Sequence, residues 1–291
     1  MVRFRITLVK KKVVSLAIQL CHIGIQSQQQ ETDTLAISLS SLKKVRSIDP
    51  PRVLVYGPPG TGKTSIAAEF PRPVFIQTED GTPGDLELDS FGLMEDHNGV
   101  MQALGALAQE EHDFKTLVVD TLDSLEPLIQ QAVCDENGWA SIEDPGFGKG
   151  YIAAEEKWMK FLRATDWLRR NKGMNIVFLG HSDVTKFDPP GLESYSRYSL
   201  RLNKRAANRV MDDMDIVGFL NFRVEIKSKE TGFGKTQTHA EGGGTRWMYV
   251  EERPAHSAKN RYGLQPEIPV QRNMLMKMWG NQVPIAGLKK D

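Results

Sequence analysis

Short apolar runs alternate with longer amphipathic segments along most of the chain. The runs that predict strands are residues 53–56, 73–77, 116–119, 175–179 and 216–219. Segments with helical spacing lie between them, at residues 63–70, 100–110, 125–133 and 151–170. Alternating strands and helices favour a parallel sheet that is covered on both faces. We therefore predict an α/β fold with a mostly parallel central sheet flanked by helices.

The pattern changes after residue 219. Two closer apolar runs, at residues 223–227 and 246–251, predict antiparallel strands at one edge of the sheet near the C-terminus, with a glycine-rich connection at residues 242–244. Residues 1–40 begin basic and continue polar. They are interpreted as an arm that is disordered or serves in oligomerisation, unless translation begins near Leu35. The predicted organisation is an N-terminal arm at 1–40, one domain at 41–269 and a C-terminal tail at 270–291.

Composition excludes several classes of protein. Lys plus Arg and Asp plus Glu both number 37, so any nucleic-acid partner has to be held by a local basic surface rather than by net charge. Two cysteines exclude a disulfide framework and a Cys-rich zinc site. No apolar run reaches the ~20 residues that span a bilayer, and polar residues interrupt the short run at 13–25 that resembles a signal peptide. We expect a cytoplasmic protein without a membrane segment.

The strongest motif is a P-loop, which lies between the first predicted strand and the first predicted helix. Its pattern is GxxxxGK[ST], and its residues are Gly57, Pro58, Pro59, Gly60, Thr61, Gly62, Lys63 and Thr64. The glycines allow backbone N–H groups to converge on phosphates. In this pattern the lysine reaches the β- and γ-phosphates and the threonine hydroxyl binds Mg²⁺. The motif therefore predicts binding of ATP with Mg²⁺.

An acidic residue ends the strand at 116–119. Asp120 is the candidate that holds Mg²⁺ together with Thr64, although an ordinary strand can also end in a solvent-facing aspartate. Many AAA-type motors carry Asp-Glu at this place, and the glutamate polarises the attacking water. Here Thr121 follows Asp120, so the base has to come from elsewhere.

Two further strand ends carry candidate catalytic groups. The strand after the P-loop helix ends in Gln77-Thr78-Glu79, which resembles the RecA family, where the catalytic base comes from this strand. Glu79 is otherwise part of a solvated acidic loop. The strand at 175–179 runs into His181, where RecA recombinases carry a glutamine that senses the γ-phosphate. A plain hydrogen-bonded histidine is the alternative.

A short basic motif lies near the C-terminus, in Ala258-Lys259-Asn260-Arg261-Tyr262-Gly263. It resembles the finger that RecA and DnaB-type helicases insert into a neighbour's ATP site. Lys259 and Arg261 would then neutralise phosphate charge across a subunit interface of a ring or a filament. The alternative is a basic turn with no catalytic role.

Together these motifs resemble the phage-encoded nucleotide-binding proteins with a RecA-like P-loop core, some of which are single-strand annealing or recombination ATPases. The resemblance covers about residues 41–269. It implies a RecA-like ATPase domain, a homo-oligomer with ATP at subunit interfaces, single-stranded DNA as a partner and a single-strand-binding protein as a further one. In a phage-encoded protein the location would be the cytoplasm of a bacterial host.

The DNA would be held by cations and aromatic rings in two segments, 135–151 and 182–205. The candidate residues are Lys149, Tyr151, Lys186, Arg197, Tyr198, Arg201, Lys204 and Arg205. A long surface loop followed by a solvated basic helix face would give the same pattern. Two other functions stay open: a helicase loader or ring motor, and an ATP-regulated scaffold with little turnover.

Overall fold

The structure is a computed structural model, which describes residues 42, 49–231, 235–271, 276, 279–280 and 282–288. Ten strands within these residues form the central sheet. The strands are β1 (Arg52–Gly57), β2 (Pro73–Gln77), β3 (Ser90–Leu93), β4 (Thr116–Asp120), β5 (Asn175–Phe187), β6 (Tyr195–Leu200), β7 (Ile216–Thr231), β8 (Lys235–Tyr249), β9 (Lys259–Asn260) and β10 (Glu267–Val270). The helices are α1 (Lys63–Ala68), α2 (His97–Gln109), α3 (Leu122–Asn137), α4 (Lys149–Lys172) and α5 (Lys204–Asp213). The predicted arm at 1–40 lies outside the described residues.

The strand order is β10-β8-β7-β1-β5-β4-β2-β3. All neighbours from β7 to β3 run parallel, whereas β8 and β10 are antiparallel additions at one edge. β6 pairs antiparallel with the outer part of β5, and β9 pairs antiparallel with the start of β7. The predicted α/β class, with a mostly parallel sheet and an antiparallel extension near the C-terminus, is confirmed.

Side chains of β1 alternate between two apolar layers, as the period of a strand requires. Leu54 and Tyr56 are buried in the layer that also contains α2 to α5, whereas Val53 and Val55 are buried in the layer that contains α1. Because both faces of the central strands are covered, their sequences read as continuous apolar runs. Polar side chains that can contact a ligand therefore lie at the ends of these strands.

Residues of the predicted C-terminal tail pack against the second layer. Trp279 is fully buried, and its ring meets that of Phe70 edge-on at 6.3 Å between centroids. The Asn175 side chain accepts a hydrogen bond from the Ala286 N–H at 2.8 Å and donates one to the Ala286 carbonyl at 3.2 Å. These described parts of 270–291 therefore belong to the packed core behind the P-loop helix.

Two sequence interpretations of the local structure were wrong. Residues 242–244 are not a connection, because they lie within β8, where residues 243–245 face a single residue of β7 between the pairs Phe222–Arg246 and Val224–Gly242. Gly244 has φ of +67° there, which explains the need for glycine. The alternative of a long surface loop after His181 does not hold either, because β5 continues to Phe187 and pairs with β6.

None of the helices in the described part of the chain has the length and apolar character needed to cross a membrane.

Candidate functional site

The P-loop joins the buried strand β1 to helix α1. Gly57 packs so closely on β7 that a Cβ atom there would lie 2.0 Å from the Leu220 carbonyl oxygen. Gly60 and Gly62 have φ of +75° and +82°, which side chains with a Cβ rarely adopt. The loop is also closed internally, since the Thr61 hydroxyl donates to the Pro58 carbonyl at 2.9 Å. The glycines of the motif are therefore required by the backbone path itself.

Lys63 points back over this loop. Its ammonium group donates to the carbonyls of Gly57 at 3.3 Å and Pro58 at 3.2 Å, and the residue is 6% exposed. Burial lowers the pKa of Lys63, and the nearby carboxylates, led by that of Asp120, oppose this effect only in part. A bound anion would compensate the buried charge.

Thr64 and Asp120 meet across the cleft. The Thr64 hydroxyl donates to the Asp120 carboxylate at 2.8 Å. Burial raises the pKa of Asp120, and the Thr64 hydrogen bond counteracts this effect. A hydroxyl and a carboxylate are hard oxygen donors, which is the ligand chemistry that Mg²⁺ prefers. The two residues that the sequence assigns to the metal are thus adjacent and chemically suited to it.

Glu79 is held in a fixed position at the end of β2. Its carboxylate accepts hydrogen bonds from the hydroxyls of Thr121 and Ser124, both at 3.1 Å. The loop that carries it is fixed as well, because the Thr78 hydroxyl donates to the Thr121 carbonyl at 2.6 Å. Glu79 is therefore an ordered part of the site rather than a member of a solvated acidic loop.

His181 is paired with an acid that the sequence analysis missed. Asp123, in the first turn of α3, accepts from the His181 backbone N–H at 2.8 Å and lies 2.9 Å from its ring Nδ1. Burial acts to raise the pKa of Asp123, but the hydrogen bonds from His181 outweigh it and the pKa lies below its ordinary value. Glu79 is also close, at 3.9 Å from the same ring nitrogen. In the sequence, Asp123 shows only the common preference for an acid at a helix N-terminus.

These groups line one cleft at the carboxyl edge of the parallel strands. Its cavity volume is about 250 Å³, and its lining residues are Gly60, Gly62, Lys63, Thr64, Glu79, Gly81, Pro83, Asp120 and His181. β2, β4 and β5 are neighbours in the sheet, so their polar ends converge although they are far apart in sequence. Five side chains that the sequence singled out, those of Lys63, Thr64, Glu79, Asp120 and His181, thus lie together.

Arg246 is a second residue that the sequence analysis missed. Its guanidinium donates to the Thr61 carbonyl at 3.3 Å, and a Cβ atom on Gly62 would lie 2.2 Å from its Nη1. It reaches the P-loop from β8 and also lines an adjoining cavity beside α1. No pattern in the sequence marks this contact, because its two partners are 185 residues apart.

Lys259 and Arg261 lie at the opposite, amino edge of the sheet. The Arg261 guanidinium donates to Asp215 at 2.9 Å, and Asp215 also pairs with Arg52 at 3.0 Å. Lys259 donates to the backbone carbonyls of residues 211 and 212. The length of β1, about 16 Å between its two ends, separates this cluster from the P-loop of the same chain.

The structure disagrees with two predicted DNA contacts. Arg197 is only 9% exposed and pairs with the Glu252 carboxylate at 2.5 Å. Tyr198 stacks on Phe219 at 4.9 Å between ring centroids. As successive residues of strand β6 they point to opposite faces, and each has a partner from another part of the chain on its own face. They are not available to a DNA strand in this structure.

The other predicted DNA contacts divide into three groups. Lys149, Lys186, Lys204 and Arg205 are exposed, with Lys186 paired to Asp188 at 3.3 Å and Arg205 to Glu155 at 3.6 Å. Tyr151 is half-buried and donates to Glu143 at 2.6 Å. Arg201 lies beside the cleft, because its backbone N–H donates to the His181 carbonyl at 2.9 Å.

The chain was compared with known protein families, curated proteins and solved structures. Residues 49–262 match the family model described as AAA domain. The chain is also similar to the crystal structure of the RadB recombinase, with 13% sequence identity over 77% of this chain and 90% of that one, and a TM-score of 0.43. None of the curated proteins matches the sequence.

Proposed function

The chain belongs to the AAA domain family, and on that premise we propose that it binds ATP with Mg²⁺, hydrolyses the ATP and acts on single-stranded DNA. The observation that carries the ATPase proposal is the single cleft lined by Lys63, Thr64, Glu79, Asp120 and His181. Recombination or annealing in a phage is the biological role that the sequence resemblance implies.

Each group has a distinct part in the proposed reaction. Lys63 binds the phosphates, and Thr64 with Asp120 holds Mg²⁺, which supplies positive charge to the phosphate oxygens when bound. Glu79 orients the attacking water and accepts its proton, and the two hydroxyls that hold its carboxylate keep it in place for that step. His181 contacts the γ-phosphate side of the cleft.

The connection to DNA is proposed through β5. His181 lies where this strand leaves the core, and the same strand continues into the β5–β6 hairpin that carries Lys186. Helix α5, with Lys204 and Arg205 in its first turn, follows directly after the hairpin. A displacement of His181 on ATP binding would therefore shift the exposed cations as well. This continuity of β5 supports the proposal that DNA binding and ATP binding influence each other.

The test is ATP hydrolysis by the purified protein with and without single-stranded DNA, at several salt concentrations. We expect stimulation by DNA that weakens as salt rises, because cation–phosphate contacts release counterions. Lys204→Ala should reduce the slope of log affinity against log salt by about 0.7, the value for one lost contact on a single strand. Phe91→Ala, at the exposed sheet edge, serves as the control.

Two other results would redirect the proposal. ATP hydrolysis that does not respond to DNA would contradict the DNA part and favour a loader or motor that acts on a protein. Tight ATP binding with almost no turnover would favour a nucleotide-regulated scaffold.

Asp123 is expected to act through His181. The Asp123 carboxylate uses one oxygen for the His181 backbone N–H and the other for the His181 ring. The substitution Asp123→Asn leaves only one oxygen acceptor, so one of these two hydrogen bonds is lost. Loss of a hydrogen bond to a charged group costs about 1.5–3 kcal/mol, so kcat should fall roughly 10- to 150-fold. KM for ATP should change less than kcat, because Asp123 is not among the residues that line the cleft. Steady-state kinetics measure both constants, and an unchanged kcat would show that the pair serves only to anchor α3.

A further inference from the structure

Phe147 is the most exposed large apolar side chain among the described residues. It lies between α3 and α4 and is 100% exposed, whereas the next one within the domain, Leu192, is 73% exposed. Its neighbours are Gly146, Gly148 and Lys149, so no other large apolar side chain adjoins it in sequence. The ring is therefore fully exposed to solvent in this structure.

The backbone holds this ring outward. Gly146, Phe147 and Gly148 have φ of +67°, +50° and +68°, three successive residues in the left-handed region. That conformation is uncommon for a residue with a bulky side chain, and such outliers cluster at functional sites. The surrounding loop is ordered by hydrogen bonds from the Gly146 N–H to the Glu143 carbonyl at 2.9 Å and from the Lys149 N–H to the Gly146 carbonyl at 3.1 Å.

Close packing fixes the loop further. A Cβ atom on Gly150 would lie 1.9 Å from the Ile142 carbonyl oxygen, so the start of α4 is pressed against the loop. The Tyr151 hydroxyl donates to the Glu143 carboxylate at 2.6 Å across the same turn. The backbone of Phe147 is thus held by the contacts of its neighbours, and its side chain stands outside them.

The loop lies at the end of the molecule that carries the proposed DNA cations. α4 has 24 residues, about 36 Å, and its last residue, Lys172, precedes β5 at the amino edge of the sheet. Its first residues therefore lie towards the carboxyl edge. There Glu155 pairs with Arg205 at 3.6 Å, and Tyr151 lines a small cavity together with Asn203 and Arg205.

We propose that Phe147 stacks on a base of single-stranded nucleic acid whose phosphates are held by Lys149, Lys204 and Arg205. This inference rests on the proposed function and adds the group that recognises bases. A single ring between glycines suits a base, because a flat base can stack on one aromatic ring, and such stacking is tolerant of sequence. A stable protein partner would instead bury roughly 800 Å² of the surface of this chain, far more than one side chain offers.

The test compares two oligonucleotides of equal length, one of thymidines and one of abasic deoxyribose phosphates, by fluorescence anisotropy. Phe147→Ala should weaken binding of the thymidine strand about 5- to 150-fold and leave the affinity for the abasic strand as it is. Phe147→Tyr should bind the thymidine strand as the unchanged protein does. Phe91→Ala, an exposed phenylalanine at the sheet edge, is the matched control, and thermal unfolding checks the fold of every variant.

Failure of this inference and failure of the proposed function give different results. If the unchanged protein binds neither strand, the DNA proposal falls and the stacking proposal with it. If the unchanged protein binds and Phe147→Ala binds the thymidine strand equally well, stacking is overturned and the DNA proposal stands. Equal weakening for both strands, or a change of oligomeric state with unchanged DNA affinity, also overturns stacking, the latter in favour of a protein contact.

Discussion

Replacing Lys63 by alanine should lower ATP turnover about 10²- to 10³-fold, the effect of removing one preorganised donor from a reacting oxyanion. Lys63 is 6% exposed, and its ammonium group is held over the loop by two carbonyl acceptors, so it is already positioned for the phosphates. Alanine at this position also removes a cation that interacts with the Asp120 and Glu79 carboxylates. ATP affinity should therefore fall together with kcat.

The measurement is phosphate release at saturating ATP, with nucleotide affinity measured separately by a fluorescent ATP analogue. Lys160→Ala is the matched control, because Lys160 is an exposed lysine on α4 away from the cleft. Turnover within a few-fold of the unchanged protein in Lys63→Ala would contradict the assignment of this cleft as the ATP site.

Replacing Arg261 by alanine should lower turnover by about 10³- to 10⁵-fold while ATP affinity is retained, if the residue acts as a finger in a neighbour's site. The distance along β1 excludes action on the P-loop of its own chain. In the structure its guanidinium is paired with Asp215, and its side chain is 52% exposed. The finger proposal therefore requires Arg261 to exchange this acid for the γ-phosphate of an adjacent subunit.

Mixing two inactive variants distinguishes a shared site from a structural role. A Lys63→Ala subunit still has Arg261, and an Arg261→Ala subunit still has an intact P-loop. In an equimolar mixture, random pairing joins the two intact halves at roughly a quarter of head-to-tail interfaces, and turnover should recover in proportion. A mixture that stays inactive, with a lowered melting temperature for Arg261→Ala, would show that the arginine only closes the amino edge of the sheet.

The sequence predicts the centre of the site well because its residues occupy the ends of buried strands. The apolar run of β1 leads into the P-loop, and the apolar runs of β2, β4 and β5 lead into Glu79, Asp120 and His181. Parallel strands place those ends at one edge. Glu79 and His181 could therefore be placed beside the P-loop without any knowledge of the packing, although their catalytic roles stay predictions.

Contacts that depend on packing between distant segments could not be read from the sequence. Arg246 reaches Thr61 from the antiparallel edge, and Asp123 binds His181, which is 58 residues away. Arg197 and Tyr198 were predicted to contact DNA, because the sequence does not show which side chains from other segments pack against them. In the structure Arg197 pairs with Glu252, and Tyr198 stacks on Phe219.

Because β5 is continuous, it limits how ATP binding could affect the residues proposed to bind DNA. Residues 176–181 are paired with β1, and residues 182–187 are paired with β6, so one strand belongs to the rigid core and to the hairpin. Sliding this strand by one residue would exchange its inward and outward faces, which the buried half forbids. A movement of His181 can therefore be transmitted beyond the core only by rotation of the β5–β6 hairpin about that residue. The displacement of the hairpin would increase with distance from His181 towards the tip.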